Sequence, residues 1–463
     1  MIRQRDHIIF CLSFLAMIVE LVTERKRRKM ERLNRHYIYI SNRNSPIEFI
    51  RLAILTVVTF FVVYNITIPG LPRQLTSTRL GIIFLLAWVV IRSGMRIQIV
   101  KTVCTRQYTQ LIIALVGFTL VGMVAVIING GGDGLRFSDN AIEFVVFWTL
   151  CAYAMTKLYG SLDEFFGVLL VITLAQSLFI FLGVLFPTFR LFINSTFNSL
   201  SYWNTVRNAE EMYRIGYAYG IGCMTSIGAL QMSLGALSVL YFLLRKREHK
   251  AMYLFLFVFM TIASTMVARS GLLFNGIVFV FYIIHNSTPK KFLKMLPYLL
   301  IMVLLLVWII SASPWSETIM SRMNRLIQLQ TNGLYNSYFT VFDNPDTHIP
   351  PLVDNLIIGT GFTSGSTNSG YRVNVDGGYL RMYSALGLVG AIILYVTIIC
   401  KTFKCVKLFR GSSLFSIGVC SICLLLVGEA KEPHILGYML SLLFVFYYLA
   451  EMEINSEKQK VLV

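Results

Sequence analysis

Apolar residues run along this chain in long, nearly unbroken blocks. Leu299–Ile310 and Leu386–Cys400 are almost continuously apolar. Blocks of this length read as membrane-crossing helices, since a backbone in lipid must satisfy its own hydrogen bonds. A membrane β-barrel would instead show weak alternation in segments of about ten residues. The pattern predicts spans at 50–69, 80–97, 109–129, 141–158, 164–187, 218–244, 251–267, 270–286, 296–312, 380–400, 414–429 and 435–450. The expected fold is an all-α polytopic membrane protein of about twelve helices. A thirteenth follows if His7–Val22 also crosses. That stretch has the length of a signal peptide, but Thr23–Arg28 follows it rather than a small-residue cleavage site.

Polar residues concentrate in two long segments, 188–217 and 313–379. The remaining connections are mostly short. The expected organisation is an N-terminal segment 1–49, helices 50–187, a first large loop 188–217, helices 218–312, a second large loop 313–379, helices 380–450 and a tail 451–463.

Composition agrees with this plan. Hydrophobic residues make up 56% of 463 residues and charged residues only 14%, with a mean hydropathy of +0.68. Soluble domains carry about a quarter charged residues. The net charge of +18 suggests nucleic acid at first sight, but the basic residues lie mostly between spans. The clusters Arg25–Arg35, Arg245–Lys250, Lys290–Lys294 and Lys401–Arg410 all fall on one side of the twelve-span plan. Cytoplasmic loops are enriched in this way. No nucleic-acid partner is expected, and both long loops and the tight Gly130–Gly134 turn are placed outside. The eight cysteines lie in or beside apolar segments and imply neither a disulfide framework nor a metal site. The glycine-rich turn lacks the following Gly-Lys-Ser/Thr of a phosphate-binding loop.

The external basic residues are almost all arginine: Arg73, Arg79, Arg136, Arg190, Arg207, Arg214, Arg322, Arg325 and Arg372. Arginine offers a planar fork that grips phosphate through two bonds, where lysine is a point charge. Most of these are expected to be solvated. Arg214, in Tyr213-Arg214-Ile215-Gly216-Tyr217, and Arg269, in Ala268-Arg269-Ser270-Gly271, sit where loops meet apolar runs. A charge there is costly unless it snorkels or faces a partner. Together the two could hold a pyrophosphate. Asp376, in Asn374-Val375-Asp376-Gly377-Gly378-Tyr379-Leu380-Arg381, opens a helix. It fits a simple N-cap, and equally a carboxylate that takes a proton from an attacking hydroxyl. Gly377 and Gly378 would allow close approach of a bulky substrate. Tyr335, Tyr338, Phe339, Phe342 and Tyr371 suit sugar stacking or an interfacial belt. The tip Glu429–His434 is expected to be a solvated hairpin turn.

This arrangement resembles the Wzy-type O-antigen polymerases, which share a fold with the O-antigen ligases. The resemblance covers the whole hydropathy plan. It rests on Arg214 with Gly216, Arg269-Ser270-Gly271, Gly359-Thr360-Gly361, and Asp376 through Tyr379 followed by Leu386-Gly387-Leu388-Val389-Gly390. Arg322 and Gly333 also match an arginine–glycine spacing found in the loops of some members. The ligase branch typically has a histidine near where Asp376 stands, which favours polymerase.

The resemblance implies an inverting glycosyl transfer without metal or cofactor at the periplasmic face of the bacterial inner membrane. The substrates would be undecaprenyl-pyrophosphate-linked glycans. Arg214 and Arg269 would bind the donor pyrophosphate and stabilise it as it leaves. Asp376 would orient or deprotonate the acceptor hydroxyl. Arg322, Arg325, Arg372, Gly377 and Tyr379 would line the glycan path. The implied partners are the lipid bilayer, a chain-length regulator and a flippase. A ligase acting on lipid A–core, or a polysaccharide-lipid transporter, are the alternatives.

Overall fold

The computed structural model describes residues 46–64, 76–91, 106–131, 151–197, 220–222, 225–245, 249–268, 270–286, 357–362, 365–366, 372–373, 378–431 and 438–461, with isolated positions 66, 68, 71 and 435. The predicted segments 7–22 and 296–312, and most of the two long loops, lie outside these. The chain divides into a unit Met1–Val57 and a unit Val58–Val463. Of the first, residues 46–57 are described, and they are helical.

The described residues form a helical membrane protein. In chain order the helices are α1 Pro46–Val63, α2 Ser77–Ile91, α3 Arg106–Ile128, α4 Tyr153–Leu158, α5 Leu162–Leu185, α6 Pro187–Phe197, α7 Thr225–Arg245, α8 Lys250–Val267, α9 Ser270–Asn286, α10 Gly378–Lys407, α11 Ser413–Lys431 and α12 Tyr438–Val461. Two short strands, β1 Gly365–Ser366 and β2 Arg372–Val373, pair antiparallel. Among the described residues, five helices are long and apolar enough to cross a membrane: α5, α7, α8, α10 and α11. Their limits fall within a few residues of the predicted blocks, except that α7 starts seven residues late and α10 extends seven residues further.

Local sequence sets these limits. At the start of α5, Ser161 Oγ accepts from Glu164 N–H at 3.3 Å while the Glu164 carboxylate accepts from Gly160 N–H at 2.8 Å. This reciprocal arrangement satisfies N–H groups that a helix start leaves open. Asp163 and Glu164 in the first turn also suit the positive end of the helix dipole. The helix ends at Phe186, extended because Pro187 follows.

The bundle is built around α7, most of whose residues are buried and which packs against α5, α8, α9 and α11. Close approach comes from a small residue: a Cβ on Gly235 would lie 2.6 Å from Thr173 Cβ of α5 and 2.8 Å from Met260 Sδ of α8. At one end of the bundle, Tyr241 donates to Asp163 Oδ1 at 2.7 Å and receives from Arg245 at 3.1 Å, and Arg245 pairs with Glu453. This ties the start of α5 to the end of α7 and to the second half of α12. Phe166 stacks on Tyr241 beneath it, with centroids 4.2 Å apart.

Several expectations are corrected. The segment 188–217 does not begin as a hydrophilic loop, because Pro187–Phe197 forms α6 against α5. Arg190 is buried rather than solvated, its stem packed on Gly183 of α5. Beyond the predicted span, α12 continues to Val461. Glu429 is not a solvated turn residue: it is fully buried.

Candidate functional site

The Leu386-Gly387-Leu388-Val389-Gly390 motif breaks α10. Gly387 has φ 64° and ψ −169°, a conformation that in practice only glycine adopts. A break leaves carbonyls open before it and N–H groups open after it. Residues 357–361 supply partners for both. Thr360 N–H donates to Ser384 O at 2.7 Å and Gly361 N–H to Ala385 O at 3.0 Å. Thr360 Oγ1 donates to Ser384 O at 2.9 Å. Beyond the break, Val389 N–H donates to Ile357 O at 3.2 Å. Contact is too close for a side chain: a Cβ on Gly359, whose φ is 85°, would sit 2.6 Å from Leu386 N. Asn129, at the end of α3, donates to Gly359 O at 3.1 Å and to Ala125 O at 2.7 Å. The Gly359-Thr360-Gly361 motif and the Leu386–Gly390 motif, far apart in sequence, are therefore one structural unit. Irregular backbone beside a membrane bundle is tolerated where protein satisfies it in this way.

The break also folds α10 back on itself. A straight helix would hold Gly378 and Tyr395 roughly 25 Å apart. Both instead meet the Glu429 carboxylate at the end of α11. Tyr395 OH donates to Oε1 at 2.8 Å and Ile435 N–H to Oε2 at 2.8 Å. A Cβ on Gly378 would lie 2.6 Å from Oε1. Burying a carboxylate is costly unless its oxygens are hydrogen-bonded, and here both are. The start of α10, with its exposed N–H groups, also favours a negative charge nearby. Tyr379 adds a second tie: its hydroxyl donates to Leu426 O at 2.9 Å and its ring lies 4.8 Å from that of Tyr395. The residues that directly follow Asp376 and Gly377 are thus pinned to the end of α11.

A separate clamp holds the chain a few residues after Arg214. Gln176, fully buried on α5, accepts from Ile221 N–H at 3.2 Å through Oε1 and donates to Ile221 O through Nε2. The residues flanking Arg269 form a tight turn between α8 and α9, with Ala268 N–H donating to Ser264 O at 3.1 Å and Gly271 N–H to Ala268 O at 2.9 Å.

Arg214, Arg269, Asp376, Gly377, Arg322 and Arg325 lie outside the described residues. Arg372 is in β2, its backbone paired with Ser366. Tyr379 is described, and its hydroxyl is committed to Leu426. The sequence reading did not single out Gln176, Asn129 or Tyr395, and it misjudged Glu429. A signal existed: an amide or carboxylate inside an apolar helix is expensive and marks a partner. Among the described residues, no group of three His, Cys, Asp or Glu side chains could hold a metal ion. No protein-family model matches the chain, and no curated protein matches it.

Proposed function

We propose that this chain is a Wzy-type polymerase that joins lipid-linked oligosaccharide repeat units at the periplasmic face of the bacterial inner membrane. The observation that best supports this reading is the pinned start of α10. Gly378 and Tyr379, the first described residues after Asp376, meet Glu429 and Leu426 of α11. A general base must be held within hydrogen-bond reach of the proton it takes.

In this reaction the acceptor sugar hydroxyl attacks the anomeric carbon of the donor glycan. Asp376 takes the hydroxyl proton. A new glycosidic C–O bond forms as the bond from that carbon to the pyrophosphate oxygen breaks. Undecaprenyl pyrophosphate leaves with the electron pair, and Arg214 and Arg269 stabilise its charge. Arg322, Arg325, Arg372, Gly377 and Tyr379 line the path of the growing glycan.

The test is a lipopolysaccharide gel of a strain lacking the gene, complemented with the wild type, Arg214→Ala or Asp376→Ala. Core bearing a single repeat unit, with the ladder lost in the deletion and in both variants, is the expected result. Bare core with lipid-linked ladder accumulating would assign the ligase reaction instead. An unchanged ladder would remove the proposal and return the transport reading.

A further inference from the structure

The helix α6 buries its charge, beside Ile193, and exposes two large apolar side chains. Its exposed face is Thr188, Leu191, Phe192 and Ser195, spaced i, i+3, i+4 and i+7. Phe192 is 53% exposed, whereas Arg190, the one charged residue in Pro187–Phe197, is 4% exposed and faces the protein. Water-facing surfaces normally have the opposite arrangement.

The position of α6 explains the inversion. Phe186 and Pro187 turn the chain sharply after α5, and α6 then folds back along it. Phe189 stacks on Phe179 with centroids 6.4 Å apart. Arg190 Cβ would lie 3.6 Å from a Cβ on Gly183. Phe179 stands roughly 9 Å before the end of α5, so α6 reaches back toward the membrane rather than away from it. The exposed face of α5 is an apolar stripe of Val171, Leu178 and Leu182 at helical spacing, Leu178 being 56% exposed. Phe186, four residues beyond Leu182, is 52% exposed, and Leu191 and Phe192 follow it on α6 as exposed apolar residues. Since α5 is a membrane-crossing helix, its stripe faces lipid, and so does the surface continuous with it.

We propose that α6 is an interfacial helix whose Leu191–Phe192 face lies among the acyl chains of the bilayer lipids. Helices of this kind sit about 5–10 Å into the headgroup–acyl boundary. Arg190 faces inward because a charge toward the hydrocarbon is costly. The consequence is that the segment leading to Arg214 leaves from headgroup depth, the level of any lipid-linked phosphate. The proposal requires only that α5 crosses a membrane. It does not depend on the polymerase reading.

The test is nitroxide labelling of a variant with all eight cysteines replaced, reconstituted in phosphatidylcholine vesicles. Labels at Leu191→Cys and Phe192→Cys are compared with Leu178→Cys as a lipid-facing reference and Lys250→Cys as a water-facing one. Accessibility to oxygen should exceed accessibility to a water-soluble nickel chelate several-fold at 191 and 192, as at 178 and opposite to 250. Nickel accessibility as high as at 250 would overturn the proposal. So would low accessibility to both reagents, which would mean that a second copy covers the face. In the chain with native cysteines, a benzophenone side chain at 192 should form phospholipid adducts on illumination. Protein–protein adducts alone would overturn the proposal.

Discussion

Replacing Gly387 with alanine tests the unit formed by the two glycine motifs. At φ 64° and ψ −169°, a side chain costs about 1–3 kcal/mol in backbone strain alone. The new Cβ would also lie 2.6 Å from Gly359 N, a backbone atom that no rotamer change can move. Residues 357–361 would have to withdraw, opening the bonds Thr360 N–H to Ser384 O, Gly361 N–H to Ala385 O and Val389 N–H to Ile357 O. At about 1 kcal/mol net for each bond, the total loss is about 4–6 kcal/mol. Gly411→Ala is the control, because Gly411 has φ 90° but no atom within 4 Å of its added Cβ. That substitution carries strain only, about 1–2 kcal/mol. Thermal unfolding of both variants in one detergent, followed by the fraction remaining monodisperse, gives the comparison. Gly387→Ala should melt clearly below Gly411→Ala, and both below the wild type. Equal melting of the two variants would refute the packing argument.

The remaining predictions concern polar groups in the bundle. Glu429→Leu leaves Tyr395 OH and Ile435 N–H without their acceptor and should cost about 2–5 kcal/mol. Glu429→Gln can accept from Ile435 and donate to Tyr395, so it should melt near the wild type; equal melting of both variants would contradict the assignment. Gln176→Leu removes the clamp on Ile221 and should speed limited proteolysis between 198 and 219, with unchanged cleavage as the contrary result. The Arg245–Glu453 pair is 28% and 26% exposed, so Glu453→Gln should cost under about 1 kcal/mol, and less at high salt. A large, salt-independent loss would show that the pair does more than this.

Helix positions were legible in the sequence wherever a block was continuously apolar, as for α8, α9 and α11. There the requirement for internal hydrogen bonding leaves little choice. The Gly-x-Gly and Leu-Gly-Leu-Val-Gly motifs could be recognised, but not their contact, because nothing local shows that 357–361 completes a break some thirty residues away. The fold-back of α10 was illegible for the same reason: a single glycine in an apolar run is equally compatible with a straight helix. α6 was missed because its segment is only weakly apolar, with apolar residues separated by Arg190, Asn194, Ser195 and Thr196. Its orientation is set by packing on α5. Glu429 was read as solvated from its charged neighbours Lys431 and Glu432, although its burial depends on the later arrival of Ile435.

The most direct test of the proposed function uses the purified protein in vesicles, given only lipid-linked repeat units. A ladder of lipid-linked polymer should form without nucleotide sugar and persist in a metal chelator. The same preparation with Asp376→Asn should leave the repeat units single. No polymer from the wild type, or sugar transfer only when lipid A–core is added, would contradict it.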